Sequence, residues 1–186
     1  MNAFRNMPSK QSGAGMIEVL VTLVILLVGL LGLAGLQMQA QRSEMESYQR
    51  VQALVLLQDM VGRINANRLN AASYVASVGT GDAQPAAAAC AALATIPARD
   101  LCEWSNTLKG AAEQGAGGSV GAMAGGRGCV TYDAASSVAM VSVAWQGLGN
   151  TADPSPGLTC GSGQYGDEKM RRVVSEPIKF ATLSAP

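Results

Sequence analysis

Few side chains in this sequence could do chemistry, and the most unusual of them is Glu18. It lies at the start of an apolar run, in QSGAGMIEVLVTLVILLVGLLG. A carboxylate in such a run costs about 2.5 kcal/mol or more near the middle of a bilayer and less toward its edge. The other reactive candidates are Cys90, Cys102, Cys129 and Cys160. They form no C-x-x-C pair, which argues against a zinc site or a thioredoxin-like redox centre. Histidine is absent from the chain. That removes Ser-His-Asp and Cys-His catalysis, histidine-ligated zinc and histidine acid–base work. Residues 115–128 are half glycine but carry no Walker or dinucleotide fingerprint, so turns are expected there and no phosphate cradle. No cofactor is expected. A membrane-anchored periplasmic enzyme would have to build its nucleophile and base from lysine or carboxylates alone.

The elements that hold these residues begin with the apolar run itself. From Val19 to Leu36 there are 18 residues with Thr22 the one polar interruption. At about 1.5 Å per residue this helix approaches the thickness of a bilayer's hydrocarbon layer. Residues 1–13 carry Arg5 and Lys10 and no acid, which places the N-terminus in the cytoplasm and the rest of the chain beyond Leu36 outside. A cleaved secretory signal is a poor match. The run is longer than an ordinary signal core, and Met38-Gln39-Ala40 is a weak cleavage site. A plain anchor would explain the length and leave Glu18 unexplained.

The helical pattern continues. Between Gln37 and Ala72 there is no proline and a single glycine, Gly62. Tyr48, Val51, Leu54, Val55, Leu57, Val61 and Ile64 recur at spacings of mostly three and four. One helix of more than 50 residues is expected, its stripe packing on a sheet. Gln37 to Glu46 would form the polar stretch between bilayer and globular head. The apolar spacing covers too few heptads for a coiled coil.

After Tyr74 the chain turns to alanine and glycine, and residues 76–98 read as an irregular connection with a short alanine-rich helix at 86–93. A second helix is expected over 99–108, with Leu101, Trp104 and Leu108 on one face. Strands follow at 128–132, 138–145 and 170–180. In the middle strand Ala139, Val141, Val143 and Trp145 alternate onto one face, and Asp133 to Ser137 is the hairpin turn. Pro177 marks the third strand as an edge strand or as ending early. The four cysteines of an exported head fit two disulfides. Three connectivities are possible. Cys90 with Cys102 would close the connection onto the short helix, and Cys129 with Cys160 would tie a strand to the long loop.

The N-terminus resembles the class III signal of type IV pilins and pseudopilins, in which a basic leader ends in glycine and a glutamate follows as the fifth mature residue. Gly13 would end the leader, Ala14 would be the new N-terminus, and Glu18 would be the fifth residue. A cut after Gly15 would make it the third. Ala14 stands where the family more often has phenylalanine. The resemblance implies that prepilin peptidase cuts on the cytoplasmic side and methylates the new amine. It also implies that Glu18 pairs with the N-terminal amine of a neighbouring subunit, acting as a register device. A glutamate lying unpaired at the headgroup boundary is the alternative. Gly29, Gly32 and Gly35 could give a smooth helix face for packing.

MIEVLVTLVILLVGLLGLAGLQ, DMVGRINANRLNAASY at 59–74, the Asp100-Leu-Cys-Glu-Trp104 block, VAMVSVAWQG and the RRVV at 171–174 look like the PilV family of minor pilins. This implies an α+β pilin fold, a long N-terminal helix packed on a small antiparallel sheet with disulfide-stapled loops. Its parts would be a cleaved leader at 1–13, a transmembrane and filament-core helix at 14–36, an amphipathic helix at 37–72 and a periplasmic head at 73–186. The implied role is a non-enzymatic subunit of a complex that primes pilus assembly, in the inner membrane before assembly and at the pilus tip afterwards, supporting twitching motility and attachment. Implied partners are other minor pilins, the major pilin and a tip adhesin. The I-type minor pseudopilin of type II secretion is the competing reading. No nucleic-acid partner is expected: with the two leader cations removed, 11 basic residues face 13 acidic ones, net −2.

Overall fold

The computed structural model describes residues 14–111, 114–115, 118–119 and 123–181. Residues 1–13, the expected leader with Gly13, lie outside the described residues. The chain divides into two compact units, one ending at Glu44 and the other beginning at Met45.

Helix α1 (Ala14–Ala66) is 53 residues long. In the first unit its large apolar side chains from Met16 to Leu36 are all exposed, at 52–79%. A helix apolar all round has no soluble core to face and is suited to lipid or to neighbouring helices. By length and composition it is able to cross a membrane. Thr22 turns its hydroxyl back onto the Val19 carbonyl at 2.9 Å, which satisfies the one uncharged polar group of the run.

In the second unit α1 buries Ala53, Leu56, Leu57, Met60, Val61 and Ile64. This corrects the expected stripe. Leu57, Val61 and Ile64 face the core, but Tyr48, Val51, Leu54 and Val55 are 43–59% exposed. Apolar residues at spacings of three and four occupy two faces of this helix, and spacing alone does not say which face meets the sheet.

The helix also ends earlier than expected. At Asn67 the backbone leaves helical geometry, and residues 68–74 form a tight 3₁₀ segment broken at Asn70 (φ −110°, ψ 23°). Asparagine amides compete with the helical backbone. Here the Asn70 amide donates to the Asn67 side-chain oxygen at 2.8 Å, and Asn67 donates to the Tyr74 hydroxyl at 3.2 Å.

The connection after Tyr74 is more ordered than its composition implies. Ala76–Gly79 is strand β1, and the short alanine-rich helix is a 3₁₀ segment, Ala87–Ala92. Helix α2 runs Ile96–Leu108, three residues longer at its start than expected. Thr95 caps it by accepting from the Ala98 amide at 3.3 Å, and Pro97 sits in the first turn, where no helical N–H is lost. Leu101, Trp104 and Leu108 are buried along one face. Two short strands pair antiparallel, β2 (Gln114–Gly115) and β3 (Gly118–Ser119).

The main sheet adds β4 (Arg127–Asp133), β5 (Val138–Gln146) and β6 (Arg171–Lys179), in the antiparallel order β1-β4-β5-β6. Ala139, Val141, Val143 and Trp145 point into the core with the α1 and α2 residues. The β4–β5 turn is an Asx-type turn. Asp133 accepts from the Ala135 amide at 3.0 Å and from the Ser136 hydroxyl, while Ser137 takes the left-handed conformation (φ 52°).

Pro177 lies inside β6, which continues to Lys179. Its position follows from the ladder. The Phe180 amide donates to the Ser137 carbonyl at 2.9 Å and Gly147 donates to the Met170 carbonyl at 2.8 Å, so even-numbered residues of β6 face β5. Pro177 therefore turns its nitrogen to the open edge, where a missing N–H costs no ladder bond.

Candidate assembly site

The sequence-predicted site residues fall into two groups. Of the first, Gly13 is outside the described residues, Ala14 opens α1, and Glu18 lies one helical turn further on the same face. Glu18 has no hydrogen-bond or ion-pair partner among the described residues and is exposed beside Ile17, Val19 and Leu20. Among neighbours that are also apolar, such a carboxylate is a candidate for pairing with a cation supplied from outside this chain.

The second group is covalent. Cys90 and Cys102 are joined with Cα atoms 5.5 Å apart, which fastens the 3₁₀ segment to α2. The Asn106 amide supports this link by donating to the carbonyls of Pro85 and Cys102 at 2.9 and 2.8 Å. Cys129 and Cys160 are joined at 5.7 Å, which ties β4 to the loop before β6. Arg171, 5% exposed, holds the same loop: its guanidinium donates to the Leu158 and Cys160 carbonyls at 2.6 and 3.0 Å and to Glu168 at 2.6 Å. Glu168 also accepts from the Gly163 amide at 2.7 Å, and these donors hold its carboxyl below the ordinary range.

A polar network missed in the sequence sits where α1 meets α2. Arg63 donates to Asp59 and Asp100 at 3.0 Å each and to Glu103 at 2.6 Å, and Tyr74 donates to the other oxygen of Asp100 at 2.5 Å. Burial disfavours the Arg63 charge, but the Glu103 bond and the charge of Asp59 outweigh it and raise its pKa. Burial, reinforced by the bond to Asp100, pushes the Tyr74 phenol up to about 12. Asp59 and Arg63 at i, i+4 were visible as a helix pair, but Asp100 and Glu103 are distant in sequence and gave no signal.

A second network fixes the start of the connection. Asp82 accepts from the Gly79 amide at 2.8 Å, from the Ser105 hydroxyl at 2.6 Å and from Lys109. Burial raises the Asp82 pKa, but these donors win and lower it. Glu46 meets Arg172 at 3.0 Å, joining the helix to β6. All of these contacts are structural. Among the described residues no cluster of acids and cysteines could hold a metal.

Residues 35–108 match the family model described as type IV pilin Tt1218, and residues 8–34 match the prokaryotic N-terminal methylation motif. No curated protein and no solved structure matches the chain. The matched pilin family is a structural, non-enzymatic one. The exposed apolar helix fits a membrane-anchored subunit. With a long apolar helix, a four-stranded antiparallel sheet and two disulfides, the chain has an α+β fold, and it is similar to type IV pilins over residues 35–108 and to the methylation motif over 8–34.

Proposed function

We propose that this chain is a minor pilin of the PilV type, a subunit of a tip complex that helps initiate type IV pilus assembly and so supports twitching motility and attachment. Cleavage after Gly13 frees the Ala14 amine, and Glu18 pairs with the amine of the neighbouring subunit. The head stays periplasmic until the subunit enters the pilus, with other minor pilins, the major pilin and a tip adhesin as its partners. The observation that carries this reading is the adjacency of the methylation-motif match at 8–34 and the pilin match at 35–108, which meet within helix α1.

The same signal and helix would serve an I-type minor pseudopilin of type II secretion. Deletion of this chain, scored separately for surface pili and for secretion of folded exoproteins, separates the two. Loss of pili with secretion intact is expected. Loss of secretion alone would transfer the chain to the secretion system.

A further inference from the structure

On the sheet face turned away from the core, a groove of about 530 Å³ lies between the β1–β4 pair and the 159–164 loop. Its floor follows from the register. Ser77 stands opposite Cys129 and Gly79 opposite Arg127. Thr159, Ser162 and Gln164 line the opposite wall, which the Cys129–Cys160 disulfide holds in place.

Among the described residues Arg127 is the one charged side chain of this lining. Arg63, Arg171 and Arg172 are engaged with carboxylates, whereas Arg127 has no hydrogen-bond or ion-pair partner for its guanidinium among the described residues. It runs alongside Gly81, where a Cβ would come within 3.4 Å of its Nη2. Among the described residues no aromatic side chain lines the groove to offer the flat platform on which sugar rings or bases stack.

The rim of the groove is an open strand edge. Thr80 donates to the Gly126 carbonyl at 2.8 Å, so its main chain faces β4, while the Gly79 amide points the other way, to Asp82. By the alternation of an antiparallel pair, Ser77 also directs its N–H and C=O away from β4. The 3.7 Å approach of Ser77 Oγ to Cys129 Sγ fits the close side chains of a pair that does not exchange ladder bonds. Ser77 is exposed, and no backbone partner meets it on that side among the described residues. The opposite edge of the sheet is blunted by Pro177 and Lys179; this one carries neither device.

We infer that this groove docks an extended acidic peptide segment of a partner protein, which pairs its main chain with Ser77 at the β1 edge and places a carboxylate on Arg127. Backbone pairing supplies affinity without sequence demands, and the single cation selects for an acid beside a polar, hydroxyl-lined floor.

The test uses the full chain in detergent micelles and a fluorescein-labelled eight-residue peptide of alternating Thr and Val with two central Asp residues. Fluorescence anisotropy should show saturable binding, and replacing both Asp by Asn should weaken it about tenfold, the loss expected for one charge-assisted contact. Arg127→Gln should weaken the Asp peptide to the level of the Asn peptide and leave the Asn peptide unaffected. Ser77→Pro, which removes an outward N–H and no ladder bond, should weaken both peptides. Intact disulfides by peptide mapping and an unchanged circular dichroism spectrum certify each variant. No saturable binding, equal binding of Asp and Asn peptides, or an Arg127→Gln variant that still prefers Asp would each overturn the inference, as would binding confined to other copies of this chain.

Discussion

The indole of Trp104 packs against Gly128: a Cβ on Gly128 would stand 2.3 Å from Trp104 Cη2. The same indole donates its N–H to the Leu56 carbonyl at 2.8 Å, so one fully buried side chain links α2 to both α1 and β4. Three elements distant in sequence meet at this ring.

Gly128→Ala should therefore destabilise the head by about 1–3 kcal/mol or more, because the added methyl meets a ring with no room to retreat. Trp104→Phe keeps a ring but leaves a cavity and a lost hydrogen bond, with a similar or larger cost. Urea midpoints of the two variants check this. Full stability of Gly128→Ala would contradict the close packing described.

Alkaline stability should depend on Tyr74. Its folded pKa, about 12, exceeds the unfolded value of about 10. A raised folded pKa means the neutral phenol is favoured by folding, so the contribution is complete below pH ~10 and disappears as pH rises toward ~12. Tyr165, pushed up to about 12 by burial, behaves in the same sense. Tyr74→Phe should flatten part of the alkaline fall in denaturant midpoint and remove one late phenolate absorbance step, with the Tyr165 step retained.

The two disulfides should contribute unequally. They close separations of 12 and 31 residues. Each should be worth about 2–4 kcal/mol, and chain entropy gives the longer one about 0.8 kcal/mol more. The Cys129→Ala/Cys160→Ala double variant should therefore melt below the Cys90→Ala/Cys102→Ala double variant. Calorimetry of the pair decides the order.

Processing should depend on a small residue at the cut. Gly13→Val should leave the leader attached, and intact-mass measurement of the purified protein should give a chain beginning at Ala14. A different first residue would remove Glu18 from the fifth position and with it the proposed register.

Glu18→Ala should be cleaved, inserted and folded, since the residue belongs to the apolar run and not to the core of the second unit, yet fail to co-purify with other minor pilins. Glu18→Gln keeps the shape and loses the charge, and should fail almost as badly if charge pairing is the cause. Normal pilus number in both variants would return Glu18 to the headgroup boundary.

Much of the fold was legible because it is written in local periodicity. The apolar run, the Leu101–Trp104–Leu108 face and the alternation in β5 each follow from residues close in sequence, and they identify the α+β class. What escaped depends on distant partners. β1 is four residues of Ala-Ser-Val-Gly with little strand character of its own, and it is a strand because β4 offers it a ladder. The end of α1 depends on Asn67 and Asn70 finding partners, and the solvent-facing row of Tyr48, Val51 and Val55 could not be told from the core row without knowing where the sheet lies. At the candidate site, Glu18 stood out because a carboxylate in an apolar run is anomalous, whereas Arg63 looked like an ordinary surface residue until Asp100 and Glu103 met it.

The Cys129–Cys160 bond has a further consequence when the chain is cut by a protease. The stretch it spans contains the β4–β5 turn and the loop after Gln146 with its two prolines, Pro154 and Pro156, the exposed segments where nicking is most expected. Any single cut between the two cysteines leaves the pieces covalently joined, and the ladders of β5 with β4 and β6 bridge the break. A nicked subunit would thus keep its place and its shape, so damage at these loops need not shed the head.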